Sequence, residues 1–131
     1  MIHGRCLCGA VRYAIDAQPR GTSYCHCEDC RRASGAPVVA WTFFPAGSLS
    51  WTHGKPKLLH FANRERTFCG DCGTPISFFD PAIPEIFEVT TCSLDEPDAM
   101  QPDDHNWVCD QLPWFATADE IPRYAHYPDT P

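Results

Sequence analysis

With 131 residues, 44% of them hydrophobic and spread along the length, the chain is of single-domain size and can bury roughly two-thirds of its unfolded surface. A formal charge of −7 with no compensating basic stripe excludes nucleic acid and anionic lipid as natural partners, since both repel such a surface. No apolar run approaches the ~20 residues of a membrane span, and Met1-Ile2-His3-Gly4-Arg5 lacks a signal-peptide apolar region, so one cytoplasmic domain over residues 1–131 is expected.

Residues Ile2 to Ile15 read as a hairpin turning at Cys6-Leu7-Cys8-Gly9, with Val11, Tyr13 and Ile15 alternating against Ala10, Arg12 and Ala14 on the return strand. Asp16 to Thr22, containing Pro19 and Gly21, reads as a loop. A short helix is expected over Glu28 to Ser34: acidic residues open it, Arg31 and Arg32 follow, Gly35 suits its C-terminal cap and Pro37 lies beyond. Val38 to Phe44, Leu49 to Thr52, Lys57 to Ala62, Arg66 to Phe68, Ile76 to Phe79 and Ile86 to Thr91 are strand candidates divided by proline, glycine and asparagine. Five acidic residues between Asp95 and Asp104 read as a solvated loop. The tail from Ala118 has the pattern of one helical turn. Thirteen prolines and many short strands predict a mainly β domain of short antiparallel strands and hairpins with one or two short helices. Trp41, Phe43, Phe44, Trp107 and Trp114 are expected in the sheet core.

Seven of the nine cysteines fall in tight clusters, Cys6-x-Cys8, Cys25-x-Cys27-x-x-Cys30 and Cys69-x-x-Cys72. Such spacing points to metal rather than to a secreted disulfide framework. A tetrahedral sulfur site needs four ligands, so the two pairs complete each other as a closed structural zinc site of Cys6, Cys8, Cys69 and Cys72. Cys25, Cys27 and Cys30 can converge on a second zinc, because a C-x-C turn runs into the first turn of a helix, but they leave one position vacant. Water, a substrate thiol, Cys92, Cys109, His26 or His105 could fill it, and a protein side chain there would make this zinc structural too. A redox role for Cys27 and Cys30 is disfavoured by the absence of a βαβ pattern around them.

The motifs Gly4-Arg5-Cys6-Leu7-Cys8-Gly9-Ala10-Val11, Cys25-His26-Cys27 through Cys30-Arg31-Arg32-Ala33-Ser34-Gly35 and Phe68-Cys69-Gly70-Asp71-Cys72-Gly73-Thr74-Pro75 closely resemble the glutathione-dependent formaldehyde-activating enzyme family, whose superfamily includes centromere protein V. The likeness runs from about residue 3 to about residue 115, through Ser93-Leu94-Asp95-Glu96-Pro97 and Pro113-Trp114-Phe115, and leaves residues 116–131 as a tail. It implies a β-tent fold, a structural zinc on Cys6, Cys8, Cys69 and Cys72, and a catalytic zinc on Cys25, Cys27 and Cys30. The reaction it implies is that of a carbon–sulfur lyase, addition of glutathione or a related small thiol to formaldehyde giving S-hydroxymethylglutathione. Two departures stand out: Cys92 where a small residue is usual, and no arginine near Gln111, which removes one partner for a substrate carboxylate.

A thiol entering a zinc site loses its proton, and three thiolate ligands leave the ion a weak Lewis acid, so carbon–sulfur chemistry is favoured over hydrolysis. His26, His60 and His105 are the candidate proton partners. Arg31 and Arg32 are expected to offset the negative charge of the second site rather than to hold a carboxylate. Two other functions fit the same residues: a non-catalytic zinc-stabilised binding module, and a zinc or thiol handling protein. The sequence leaves oligomeric state undetermined.

Overall fold

The computed structural model describes residues 1–128. Among the described residues ten strands form two sheets. The smaller contains β1 (Ile2–Arg5), β2 (Arg12–Ile15) and β5 (Leu49–His53) in the order β1-β2-β5. The larger contains β3 (Gly21–Cys25), β4 (Val39–Pro45), β6 (Lys57–Phe61), β7 (Arg64–Phe68), β8 (Pro75–Phe79), β9 (Ile86–Thr90) and β10 (Asp104–Asn106), ordered β10-β3-β4-β9-β8-β7-β6. The one α-helix among the described residues, α1 (Glu28–Ser34), follows β3. No helix among the described residues is long and apolar enough to cross a membrane. The architecture is the expected mainly β one, in the two-sheet arrangement of a β-tent.

Alternation along the strands divides inside from outside. Tyr13, Ile15, Phe44, Ile76, Val89 and Leu94 pack with Cys6 and Cys69 in a shared core. On β4, Thr42 and Phe44 face that core, whereas Trp41 and Phe43 turn to the opposite face. The core side of the large sheet also carries a hydroxyl chain, Thr22 to Thr42 at 3.0 Å and Thr42 to Thr91 at 2.9 Å. Those pairs satisfy buried polar atoms that would otherwise oppose folding. Gly4 is required by contact: a Cβ there would lie 2.3 Å from the Tyr13 ring and 2.8 Å from the Ser93 carbonyl oxygen. This close approach lets Ser93–Asp95 cover the free edge of β1, with the Asp95 N–H donating to the His3 carbonyl at 2.9 Å.

The helix is where its capping residues put it. Cys27 is the N-cap, its sulfur accepting the Cys30 N–H at 3.2 Å, and Gly35 closes the C-terminus at φ 67 in the left-handed region.

Four expectations need correction. Residues 21 and 22 belong to β3 rather than to a loop, because they pair with Phe43 and Thr42 of β4. β10, a run of polar residues that carries no strand signal, pairs parallel to β3 rather than antiparallel. The tail forms no helical turn among its described residues. It runs extended beside β10, with Tyr124 N–H donating to the His105 carbonyl at 2.9 Å and Trp107 N–H to the His126 carbonyl at 2.7 Å; Asp129 to Pro131 lie outside the described residues. Of the aromatic residues assigned to the core, Phe44 and Trp41 are buried, Phe43 and Trp107 are half-buried, and Trp114 is 73% exposed.

Candidate functional site

Two turns from distant parts of the chain bring the first cysteine set together. Cys6 and Cys8 lie between β1 and β2, Cys69 and Cys72 between β7 and β8, and the four sulfurs lie within 4.8 Å of one another. Sulfur separations of 3.6 Å for Cys6–Cys8 and 3.8 Å for Cys8–Cys69 suit a tetrahedron, since thiolates 2.3 Å from one ion stand about 3.8 Å apart. They are far beyond a disulfide bond, and all nine cysteines are free. Backbone amides aim at the same sulfurs: Val11 N–H donates to Cys6 Sγ at 3.3 Å, and Asp71 and Cys72 N–H to Cys69 Sγ at 3.4 and 3.5 Å. Amide donors stabilise thiolate, so the donor set fits a divalent metal.

The second set stands at the junction of β3 and α1. Cys25 ends the strand, Cys27 caps the helix and Cys30 lies in its first turn, with Cys30 Sγ 3.2 Å from Cys25 Sγ. These three sulfurs also lie within 4.8 Å of one another, and among the described residues no fourth metal-ligating side chain joins them. Hydrogen bonding from its neighbours draws the Cys27 thiol down to about 2, whereas the same proximity to Cys27 drives Cys25 up. Packed so closely, the three cannot all be thiolates unless a cation sits among them. This donor set therefore also fits a metal ion, with one position left over.

The four side chains considered for that position lie elsewhere. Cys92 lines a separate surface cleft with Arg5 and Cys6, and Cys109 is exposed with its sulfur 3.6 Å from Asp110 Oδ1. His26 and His105 are each 0% exposed. The His26 ring leaves the sulfurs on either side of it and meets His105, Nε2 to Nδ1, at 2.8 Å; His105 Nε2 in turn lies 2.9 Å from Asp119 Oδ1. Because a carboxylate only accepts, His105 donates from Nε2 and accepts at Nδ1, which puts the His26 proton on Nε2. The His26 Nδ1 has no hydrogen-bond partner among the described residues. His60, on β6, is exposed beside Glu65 and outside the cavity lining.

Burial holds the His26 ring near 4, below the ordinary histidine value, with His105 adding to the effect. A group with a lowered folded value contributes stability at neutral pH that is lost as pH falls from about 6.5 toward 4. The His26 ring resonances should therefore stay flat from pH 7 to pH 5 in an NMR titration of the metal-loaded protein. A midpoint near 6.5 would contradict the buried neutral ring.

The trio opens onto a cavity of about 750 Å³, within the range of about 300–1,000 Å³ seen for small-molecule sites. Trp41, Phe43 and Phe78 supply apolar lining, Arg64, Arg66 and Glu88 charged lining, and Trp107 and Tyr127 complete the aromatic part. Arg64 is paired with Asp80 at 3.2 Å, while the Arg66 guanidinium lies 4.8 Å from the centre of the Phe78 ring. Of the two helix arginines, Arg32 reaches the cavity but is paired with Glu28 at 2.9 Å, and Arg31 is not part of the lining. Near Gln111 an arginine does appear in space, since Arg123 of the tail hydrogen-bonds the Gln111 side chain.

Sequence reasoning missed Glu88, Arg66, Asn106 and Tyr127 as cavity residues. Asn106 is buried beside Cys25 with its Oδ1 unpartnered among the described residues, and its only signal was a polar residue in a polar run. For Glu88 the signal was a lone charge inside the apolar strand Ile86–Thr90.

The family model described as glutathione-dependent formaldehyde-activating enzyme matches residues 1–110. An uncharacterized lyase of Schizosaccharomyces pombe is 37% identical over 76 residues, 57% of this chain and 55% of that protein, so the match spans little more than half of that relative. A Halomonas elongata protein named as a glutathione-dependent formaldehyde-activating enzyme is 24% identical over 98% of this chain and 90% of its own. A crystal structure of a Rhodobacter sphaeroides protein superposes with a TM-score of 0.60 at 22% identity, covering 93% of this chain and 99% of that one, and supports the fold.

Proposed function

This chain belongs to the glutathione-dependent formaldehyde-activating enzyme family, and from that premise we propose that it is a zinc-dependent carbon–sulfur lyase-type enzyme. It joins glutathione or a related small thiol to formaldehyde, giving S-hydroxymethylglutathione, and catalyses the reverse cleavage. Cys6, Cys8, Cys69 and Cys72 hold a structural zinc, and Cys25, Cys27 and Cys30 hold the catalytic one, two ions per chain. The observation that carries this is the three-sulfur cluster, with no fourth protein ligand among the described residues, opening onto a cavity. A closed structural site has no use for such an opening.

Bound at the trio, zinc would supply a position at which a substrate sulfur is held as thiolate at neutral pH. The chain supplies the rest. Trp41, Phe43 and Phe78 form an apolar wall that keeps water from the carbonyl carbon. Arg66, free of any carboxylate within ion-pairing distance among the described residues, faces the same space and suits a substrate carboxylate.

Thiols add to formaldehyde without a catalyst, so the test is a rate. Exchange NMR with ¹³C-formaldehyde and glutathione should show interconversion that rises linearly with protein, at least about tenfold above the protein-free rate at micromolar enzyme. A rate equal to the protein-free one would leave a zinc-stabilised binding module in its place.

A further inference from the structure

We propose that Glu88, on the sheet floor of the cavity, is the proton-transfer group of this site, taking the proton of the entering thiol and delivering it to the aldehyde oxygen. The proposal rests on the enzyme function above and adds to it a catalytic residue.

Register places Glu88 where such a group is needed. Arg66 pairs with Phe78 across β7 and β8, Phe78 with Glu88 across β8 and β9, and Glu88 with Phe43 across β9 and β4. Directly opposed residues share a face, so Arg66, Phe78, Glu88 and Phe43 form one row, and all four line the cavity that the trio opens onto. Glu88 is thus a carboxyl between two phenyl rings.

Four carboxyls line the cavity, and three are otherwise engaged or exposed. Glu28 is paired with Arg32, Asp110 accepts the Glu28 N–H at 3.1 Å, and Asp29 is exposed on the helix. Glu88, half-buried in the cavity lining, has no hydrogen bond or ion pair among the described residues, so its carboxyl is free to meet a substrate. The charged and titratable groups facing it are Arg66 on β7, Asp80 after β8, Cys27 at the helix cap and Tyr127 of the tail; β4 brings only Trp41 and Phe43. Burial outweighs Arg66 and raises the Glu88 carboxyl to about 8. Three thiolates around a divalent ion keep a net charge of −1, so loading the trio leaves the sign of the Cys27 contribution unchanged. A group poised there exchanges protons in both directions near neutral pH.

The step balances without any other reagent. The thiol S–H proton passes to the Glu88 carboxylate. Sulfur then attacks the carbonyl carbon, the carbon–sulfur bond forms, the C=O π pair moves to oxygen, and that oxygen takes the proton from Glu88. The carboxylate is restored, and the thiol and formaldehyde have become a hydroxymethyl thioether. Cleavage runs the same steps backwards.

Glu88→Gln preserves shape and row packing while removing the exchangeable proton. Expected in the zinc-loaded variant are wild-type metal content, wild-type unfolding, glutathione binding within about twofold, and a formaldehyde–glutathione exchange rate about 100-fold lower. Glu88→Asp, which keeps the carboxyl one methylene shorter, should recover part of the rate and its pH dependence. A second readout needs no turnover: with ¹³C-carboxyl-labelled glutamate, the resonance missing from Glu88→Gln should titrate well above the ordinary range. A Glu88→Gln rate within twofold of an accelerating wild type, or a Glu88 carboxyl ionised throughout pH 6–9, overturns the proposal alone. A wild type that gives no acceleration overturns the enzyme function and the proposal with it.

Discussion

Cys69→Ser is expected to abolish cooperative folding under conditions where the wild type is fully native. Cys69 is buried in the core, ties the β7–β8 turn to the β1–β2 turn through the Cys8 sulfur at 3.8 Å, and collects two backbone N–H donors. Those turns are about 60 residues apart, |i−j| = 61 for Cys8 and Cys69, so the cluster closes the two-sheet arrangement on itself. A structural zinc contributes on the order of 10 kcal/mol to folding. That is comparable to the whole stability of an ordinary domain, about 5–15 kcal/mol. Far-UV circular dichroism through a urea titration is the measurement, with a chelator-treated wild type in parallel. A Cys69→Ser protein that unfolds at the wild-type midpoint would separate this quartet from the fold.

Cys30→Ser should do the opposite, leaving the fold and removing the chemistry. The trio lines the cavity, with Cys25 and Cys27 half-buried, and helix α1 keeps its N-cap at Cys27 and its Gly35 stop. Losing the Cys30 side chain vacates one of three sulfurs in a site with no spare ligand among the described residues. Native mass spectrometry should count two zinc ions on the wild type and one on Cys30→Ser. Exchange of formaldehyde with glutathione should fall to the protein-free rate, with a stability loss of only about 1–3 kcal/mol. Two retained ions and an unchanged rate would mean that the trio is not the reacting centre.

The contrast between these substitutions follows from where each sulfur set sits, and only one side of that contrast was legible in the chain. The count of four and three sulfurs needed nothing but spacing, because C-x-C and C-x-x-C turns converge locally whatever surrounds them. The helix was equally local: acidic residues at its start and a glycine at its end set it to Glu28–Ser34. Most strands were legible for the same reason, since β-branched and aromatic runs between prolines and glycines have few other uses.

What failed to show were elements whose reason lies in another part of the chain. The Asp104–Asn106 strand carries no strand-forming composition; it exists because β3 offers an edge and the tail covers its other side. Trp114 reads as core and is exposed, because the residues after the Val108–Asp110 turn pass over the surface. His26 could have faced its cysteine neighbours, yet it turns inward to a partner 79 residues away.

The sequence by itself thus determined which cysteines can share an ion, where the helix begins and ends, and that the chain is built mainly of short strands. The helix and strands follow from short-range patterns, and the four-sulfur set from the number of ligands a tetrahedral ion needs. Only the tertiary structure decided what the open sulfur trio looks out upon. The order β4-β9-β8-β7 sets Phe43, Glu88, Phe78 and Arg66 in one row across four strands, and strand order and register arise from the packing of whole faces, which leaves no mark at any single position.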